Sequence, residues 1–229
     1  MLTRSQTVTD LLRAQILQGD YLPGTHLQEV VLAEAMNVSR TPVRAALAAL
    51  EREGLLTYVA KRGYEVRRFG AEEIRDMYQV RSVLEGNAAA LCARRGIADE
   101  TAAALAALVE KGDRILAIGR LDPADLPAYR DMNGAFHSTL IEASGSQVTA
   151  AHVTQIRQIP FLSDRIILWE DFHLIHRSHD DHHRVLRAIL DRDPQRAEAI
   201  MREHVHFMGE VVIDFLSKSS SAPPLLQES

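Results

Sequence analysis

Cysteine is all but missing from this 229-residue chain: Cys92 is the one thiol, so no internal disulfide can form and a reducing setting is expected. Aromatic residues are scarce at 5%, while Ala and Leu recur in runs, which favours helices over sheets. No apolar stretch reaches the roughly 20 residues that span a bilayer. The opening Met-Leu-Thr-Arg-Ser-Gln lacks the apolar segment of a secretory signal. A cytoplasmic protein with no membrane partner is therefore expected. No internal repeat is present. An excess of positive charge is also lacking, since the net charge is −5, which taken alone speaks against nucleic acid. The distribution of charge changes that inference. Residues 1–69 hold nine Lys and Arg against seven Asp and Glu, whereas residues 70–229 hold 17 against 24. A mildly basic head precedes an acidic body, so local placement of arginine has to carry any DNA contact.

The most informative stretch is residues 37–47, Asn-Val-Ser-Arg-Thr-Pro-Val-Arg-Ala-Ala-Leu. It reads as a short turn leading into a helix whose first turn bears Ser39, Arg40, Thr41 and Arg44. Donors and cations at a helix start suit a polyanion. Arg40 and Arg44 are four apart and share a face, and an arginine fork can take guanine O6 and N7 together. Val43, Leu47 and Leu50 form the opposite, buried stripe, with Ser39 in the capping position. The alternative is a capped surface helix with two solvated arginines.

Two helices precede this one. The first is expected over 7–18 with Val8, Leu11, Leu12 and Ile16 inward, ended by Gly19. After a turn at 21–24 the second covers about 28–36, with Val31, Leu32, Ala35 and Met36 inward. Asn37 tolerates a left-handed turn, and Gly54 stops the third helix, expected over about 40–53. Strands Leu55–Val59 and Tyr64–Arg68 are joined by Ala-Lys-Arg-Gly, so that Gly63 makes the tight turn and Lys61 and Arg62 project from its tip. Three helices and a β-hairpin make a winged helix-turn-helix over residues 1–69.

From residue 71 only long helices are expected, at about 71–95, 99–117, 123–143, 147–168, 172–191 and 194–217. Asp193 with Pro194, and Asp122 with Pro123, are clear start signals. The chain is thus read as mainly α: the winged head, an all-α bundle of about six helices over 70–217, and a disordered tail over 218–229.

The motifs of the head resemble the GntR family of bacterial transcription regulators. They are Leu-Pro-Gly-Thr at 22–25, Leu-Ala-Glu at 32–34, Val-Ser-Arg-Thr-Pro-Val-Arg-Ala-Ala-Leu at 38–47, Leu-Glu-Arg-Glu-Gly-Leu-Leu at 50–56 and Arg-Gly-Tyr-Glu-Val at 62–66. The resemblance implies a homodimer with two such helices in successive major grooves of a short palindromic operator of double-stranded DNA, the wing turn reaching the minor groove. It implies Ser39, Arg40, Thr41, Arg44, Arg62 and Gly63 as DNA-facing positions. Val30 stands where some relatives carry a DNA-touching Arg.

Nine of the 10 histidines lie in the body. Asn133 and His137 share one helical face. Ile175, His179, His182, Leu186 and Ile189 define an inward stripe, as do Ala197, Met201, His204, Met208, Val211 and Phe215. His137, His182 and His204 therefore interrupt three apolar faces. Burying three imidazoles is costly unless they find partners. A shared divalent ion with three His and an oxygen ligand, Zn²⁺ or Ni²⁺, is one solution; a metal-free polar pocket is the other. His173, His176, His183 and His206 fall off the stripes and are expected at the surface. His179 lies on a stripe without being assigned as a ligand. Asp180 and Asp181 flank His182 but point partly off the stripe.

The body motifs resemble the FCD effector domain of the FadR-like GntR subfamily. They are Arg-Ser-Val-Leu-Glu at 81–85, Phe-His-Ser-Thr-Leu-Ile-Glu-Ala-Ser-Gly at 136–145, Asp-His-His-Arg-Val-Leu-Arg-Ala-Ile at 181–189 and Ala-Glu-Ala-Ile-Met-Arg-Glu-His at 197–204. The resemblance implies a metal held by Asn133, His137, His182 and His204, with Asn133 replacing the usual Asp. It also implies a small carboxylate effector beside the ion, with Arg81 lining the cavity. Pairing of Arg81 with Glu85, one turn on, is the alternative. The function expected is a ligand-responsive transcription regulator rather than an enzyme. A metal-sensing regulator is the runner-up. A helical metallohydrolase comes last, because no acid/base partner accompanies the histidines.

Overall fold

The computed structural model describes residues 3–18, 20–157 and 171–220. They form two compact units that divide between Gly70 and Ala71. The expectations for Gly19, for residues 158–168, for the Phe215 side chain and for residues 221–229 lie outside the described residues.

The first unit opens with α1 (Arg4–Gln18), which starts three residues before the apolar pattern suggests. The cause is a capping box: the Thr3 N–H donates to Gln6 Oε1 at 2.8 Å, and the Gln6 N–H donates to Thr3 Oγ1 at 3.2 Å. Val8, Leu12 and Ile16 are buried on one face. Leu11, expected with them, is 47% exposed, because it lies about 100° around the helix from Leu12. After β1 (His26–Leu27) comes α2 (Glu29–Ala35), which buries Leu32 and Ala33. Val31 and Ala35 face outward instead of inward. Two turns packed on one side leave room for only a narrow buried stripe.

Asn37 takes the left-handed conformation at φ 51°, and α3 (Arg40–Arg52) follows with Val43, Ala46, Leu47 and Leu50 fully buried. Ser39 occupies the N-cap position in extended backbone, but its hydroxyl makes no capping hydrogen bond. The helix ends in a Schellman turn: Gly54 has φ 77°, and the Leu55 N–H reaches the Leu50 carbonyl at 2.9 Å. β2 (Leu56–Val59) and β3 (Gly63–Val66) then form the hairpin, with Val59 opposite Gly63. β1 adds to the other edge of β3, giving the order β1-β3-β2. This third strand has two residues, too few for an alternating pattern to reveal it.

The second unit is α-helical throughout its described residues. Its elements are α4 (Ala71–Arg95), α5 (Asp99–Leu116), a 3₁₀ turn at Pro123–Asp125 running into α6 (Leu126–Ala143), α7 (Gln147–Arg157), α8 (Phe172–Leu190) and α9 (Pro194–Ser220). Both expected start signals operate: Asp122 Oδ1 accepts from the Ala124 N–H and Asp193 Oδ1 from the Arg196 N–H, each at 3.0 Å. α9 runs past its expected end at 217, through three residues read as tail.

α4 is the central helix and packs along α9, and also against α6, α7 and α8. Ala88, Ala89, Ala90, Cys92 and Ala93 are buried on several of its faces, which small side chains permit. Gly86 and Gly209 set the α4–α9 spacing: a Cβ on Gly86 would meet Arg202 Cγ at 2.3 Å, and one on Gly209 would meet Tyr78 Cβ at 2.7 Å. α8 buries its whole expected stripe. On α9 the buried face continues through Val205, Gly209 and Val212 rather than Met208 and Val211, which are half-buried. The expected positions keep the helix's own 3.6-residue period, whereas Met201, Val205, Gly209 and Val212 step by 4, 4 and 3, so the buried face shifts by one residue. No helix among the described residues is long and apolar enough to cross a membrane.

The opposed burial of Leu11 and Leu12 gives a direct check of the first unit. Leu12→Ala is expected to lower stability by about 2–5 kcal/mol, and Leu11→Ala by less than about 1 kcal/mol. Urea titration followed by circular dichroism measures both.

Candidate nucleic-acid interface and candidate metal centre

In the first unit α3 and the wing open onto one groove of about 810 Å³. Its lining includes Arg40 and Arg44 from α3, Lys61, Arg62 and Gly63 from the wing, and Glu29 from α2. The wing turn is tight because Lys61 and Gly63 both hold positive φ, at 66° and 88°, with the Arg62 N–H donating to the Val59 carbonyl at 2.9 Å. Ser39 and Thr41 are exposed at the start of α3. The arrangement therefore brings Arg40, Arg44, Arg62 and Gly63 to one surface, with Ser39 and Thr41 at its helix start. A helix N-terminus, two arginine forks and a cationic turn can together engage a phosphodiester backbone and base edges.

Glu29 was not legible as part of this surface. Its carboxylate accepts from Arg44 Nε and Nη2, both at 2.9 Å, and from Arg40 Nη2 at 3.3 Å. The Arg44 hydrogen bonds hold the Glu29 carboxyl below its ordinary range, against the small opposing effect of burial, and Arg40 adds to this. Glu29 thus aims the two guanidinium groups while leaving both arginines mostly exposed. Val30 is exposed beside it, an apolar residue on a polar rim.

In the second unit the three expected imidazoles converge. His137 on α6, His182 on α8 and His204 on α9 are 1%, 0% and 3% exposed. Their ring centroids are 5.2, 5.1 and 5.0 Å apart in pairs, and one ring nitrogen of each falls within 4.8 Å of the others. Asn133 is also buried, one turn before His137 on α6, and Asp131 is exposed. His173, His176, His183 and His206 are exposed as expected. His179 is buried, but its Nε2 turns to Asp113 at 2.8 Å rather than to the triad.

The residue that organises the triad is Glu85, fully buried on α4. Its Oε2 lies 2.6 Å from His137 Nδ1, its Oε1 lies 2.6 Å from Arg81 Nε, and Arg157 Nη2 reaches both oxygens at 3.3–3.4 Å. Burial opposes the charged form of Glu85. Arg157, Arg81 and His137 outweigh it and hold the carboxyl well below its ordinary range. An ionised carboxylate only accepts, so His137 Nδ1 carries the proton of that contact, and Nε2 faces the cluster 3.2 Å from His204 Nε2. Arg81 is thus tied to Glu85, as the simpler of the two sequence readings has it.

The other two rings complete the picture. His204 Nε2 is 3.2 Å from His137 Nε2, and His204 Nδ1 is 3.8 Å from Asp181 Oδ2. Asp181, read from sequence as partly off the stripe, is buried, with Oδ1 held by Arg184 at 2.6 Å. Among the described residues, neither nitrogen of His182 has a hydrogen-bond partner. Burial, then the neighbouring His204 and His137, push its pKa well down, so the ring is neutral. Phe136 stacks on it at 4.3 Å between centroids. Two nitrogens bound at about 2.0–2.1 Å to one tetrahedral ion lie roughly 3.3 Å apart, which the 3.2 Å separation of His137 and His204 matches. The donor set of three converging imidazoles, with the His182 nitrogens lacking a hydrogen-bond partner among the described residues, therefore fits a borderline divalent ion such as Zn²⁺ or Ni²⁺.

Glu85→Gln removes a buried charge that faces Arg81, Arg157 and His137. A loss of about 3–5 kcal/mol is expected, read from chemical denaturation in the presence of a chelator so that metal plays no part.

Comparison with known proteins agrees with both halves. Residues 4–66 match the bacterial regulatory proteins of the gntR family, and residues 76–207 match the FCD domain. The Nta operon transcriptional regulator of Aminobacter aminovorans is 29% identical over 196 residues, covering 86% of this chain and 88% of that protein. The HTH-type transcriptional repressor GlaR of Escherichia coli is 29% identical over 215 residues, covering 87% and 93%. Among solved structures, Escherichia coli McbR/YncC superposes with a TM-score of 0.71 at 23% identity over 96% of this chain and 100% of that one. A putative GntR regulator from Rhodococcus gives 0.69 at 22% identity over 93% and 99%. Those two likenesses show a shared fold. The domains and relatives are those of a DNA-binding transcription regulator and not of an enzyme: the chain belongs to the GntR family of bacterial regulatory proteins, in the group that carries an FCD effector-binding domain.

Proposed function

We propose that this regulator acts as a homodimer on a palindromic operator and that a small organic acid, bound beside a divalent ion in the second unit, changes its operator affinity. Residues 1–69 serve as the reading head and residues 70–217 as the responding body. Arg40 and Arg44 read base edges in the major groove, Ser39 and Thr41 donate to phosphate, and Arg62 with Gly63 enters the minor groove. The common groove that joins α3 to the wing supports this reading. His137, His182 and His204 hold the ion, with the Asn133 amide oxygen as a fourth, weaker ligand. The ion supplies a Lewis-acidic point to which a carboxylate can bind. The observation that carries the metal assignment is the convergence of three buried imidazoles, one locked by Glu85 and one with no hydrogen-bond partner among the described residues. An effector acts only through its differential affinity for two arrangements of the dimer.

A second reading, in which the ion itself is the effector, gains support from the 2.6 Å contact that ties Arg81 Nε to Glu85. Under the organic-acid reading Arg81 lines the effector site beside Glu85. Release of DNA on adding metal alone favours the sensor. Release that requires a carboxylate favours the metabolite.

The head is tested by titrating an operator selected from a random DNA library. Arg40→Ala and Arg44→Ala are each expected to lower affinity by roughly tenfold to a hundredfold; unchanged binding would show the head to be misread. For the body, His204→Ala is expected to lose the tightly held ion, as measured by elemental analysis after dialysis, while keeping its helical circular dichroism. Stoichiometric retention in that variant overturns the assignment.

A further inference from the structure

α8 carries a second pair of imidazoles four residues apart, His179 and His183, on the side that packs against α5. Their Nε2 atoms each lie 2.8 Å from one and the same atom, Oδ1 of Asp113 on α5. These three donor atoms all fall within 4.8 Å of one another. Two imidazoles that merely needed hydrogen bonds would be served as well by the two separate oxygens of the carboxylate. Instead both rings share one oxygen, which gathers three ligand-type atoms into one cluster.

The backbone is built to bring them there. A Cβ on Gly112 would come within 2.1 Å of His179 Cε1. α5 can therefore carry Asp113 up to the histidine pair only because residue 112 has no side chain. Glycine inside a long helix weakens it, and here it has an evident packing reason. Tyr129 packs edge-on against the His179 ring, with centroids 6.3 Å apart, and helps to fix it.

We propose that Asp113, His179 and His183 form a second divalent-cation site, for Zn²⁺, Ni²⁺ or Co²⁺, with its remaining positions open to water. Two imidazoles and a carboxylate are a donor set that these borderline ions accept. Ligand atoms bound at about 2.0–2.2 Å and set about 90–110° apart are separated by roughly 2.9–3.4 Å. A slight outward movement from the 2.8 Å contacts admits an ion. Asp113 and His183, each 46% exposed, are free to make it, whereas His179 is held in the core. The site is distinct from the buried triad and stands whether or not the triad holds an ion. Both nevertheless draw on α8, because His182 belongs to the triad and its ring centroid is 5.8 Å from that of His179. An ion in either site places positive charge near the other. The half-exposed second site is therefore the weaker and more exchangeable of the two, and it ties α5 to α8 at the triad's edge.

The test uses the full chain, stripped of metal and titrated with Zn²⁺ against a chromophoric chelator, with Co²⁺ absorption as a second readout. His183→Ala and Asp113→Ala are each expected to raise the Kd of one Zn²⁺ equivalent at least tenfold and to leave any tighter equivalent unchanged. His204→Ala, which disables the triad, is expected to retain that weaker equivalent together with its Co²⁺ band. The proposal is overturned if His183→Ala and Asp113→Ala bind as many ions as the unaltered chain with affinities within twofold. It is equally overturned if His204→Ala binds no ion at all.

Discussion

Glu85 sits in the interior of the second unit with no solvent contact and meets α6 through His137 and α7 through Arg157, while Arg81 joins it from its own helix. A carboxylate in such a place is unfavourable unless cations and hydrogen bonds surround it. Here they do, and the consequence reaches further than neutralisation. Because the ionised group can only accept, it places a proton on His137 Nδ1 and turns Nε2 inward to the cluster. It also fixes the imidazole plane. The geometry of the triad rests on this contact, since the position of His204 is read against His137 at 3.2 Å.

The other two rings are held differently. His182 has no polar anchor among the described residues and is fixed by packing, stacked on Phe136 and flanked by His137 and His204. Its neutrality follows from burial first and from the neighbouring rings second. His204 lies between His137 and the more distant Asp181, itself fastened to Arg184. One ring is therefore oriented by a carboxylate, one by an aromatic face and one loosely by both kinds of neighbour. A cluster built this way leaves the His182 nitrogens without a hydrogen-bond partner among the described residues, in an interior where such groups are costly.

Much of this was legible in the sequence, and the parts that were not share a cause. The stripe on α8 could be read because Ile175, His179, His182, Leu186 and Ile189 keep strict helical phase on a helix packed on one side. The Asp193–Pro194 start is a local signal and needs nothing else. Glu85, by contrast, bonds a histidine 52 residues away; no local pattern announces so distant a partner, although one helical turn does link Glu85 to Arg81. Asp181, partly off the α8 stripe, is covered only once α9 packs beside it. Glu29 looks like an ordinary first-turn acid until the chain turns Arg40 and Arg44 back over it. Thr3 and Gln6 were a readable capping box that the apolar pattern overshadowed. Gly112 was the one visible clue to the Asp113 grouping, since a glycine inside a helix calls for a packing reason.

Three carboxylates thus organise the functional groups of the chain, and their exposure decides what each permits. Glu85 is sealed in the core, so its partners are fixed for the life of the fold. Asp113 is half-exposed and shares one oxygen between two imidazoles, so its partners can be rearranged without unfolding. Glu29 is only partly covered, and the arginines it aims lie largely in solvent. Ion pairs of that kind are weak and screened by salt. Such contacts yield to a competing acceptor at small cost, while the Glu29 carboxylate keeps both guanidinium groups near the groove. Reversing the two environments would fail on both sides: a buried Glu29 would not release its arginines, and an exposed Glu85 would not hold His137 in one orientation.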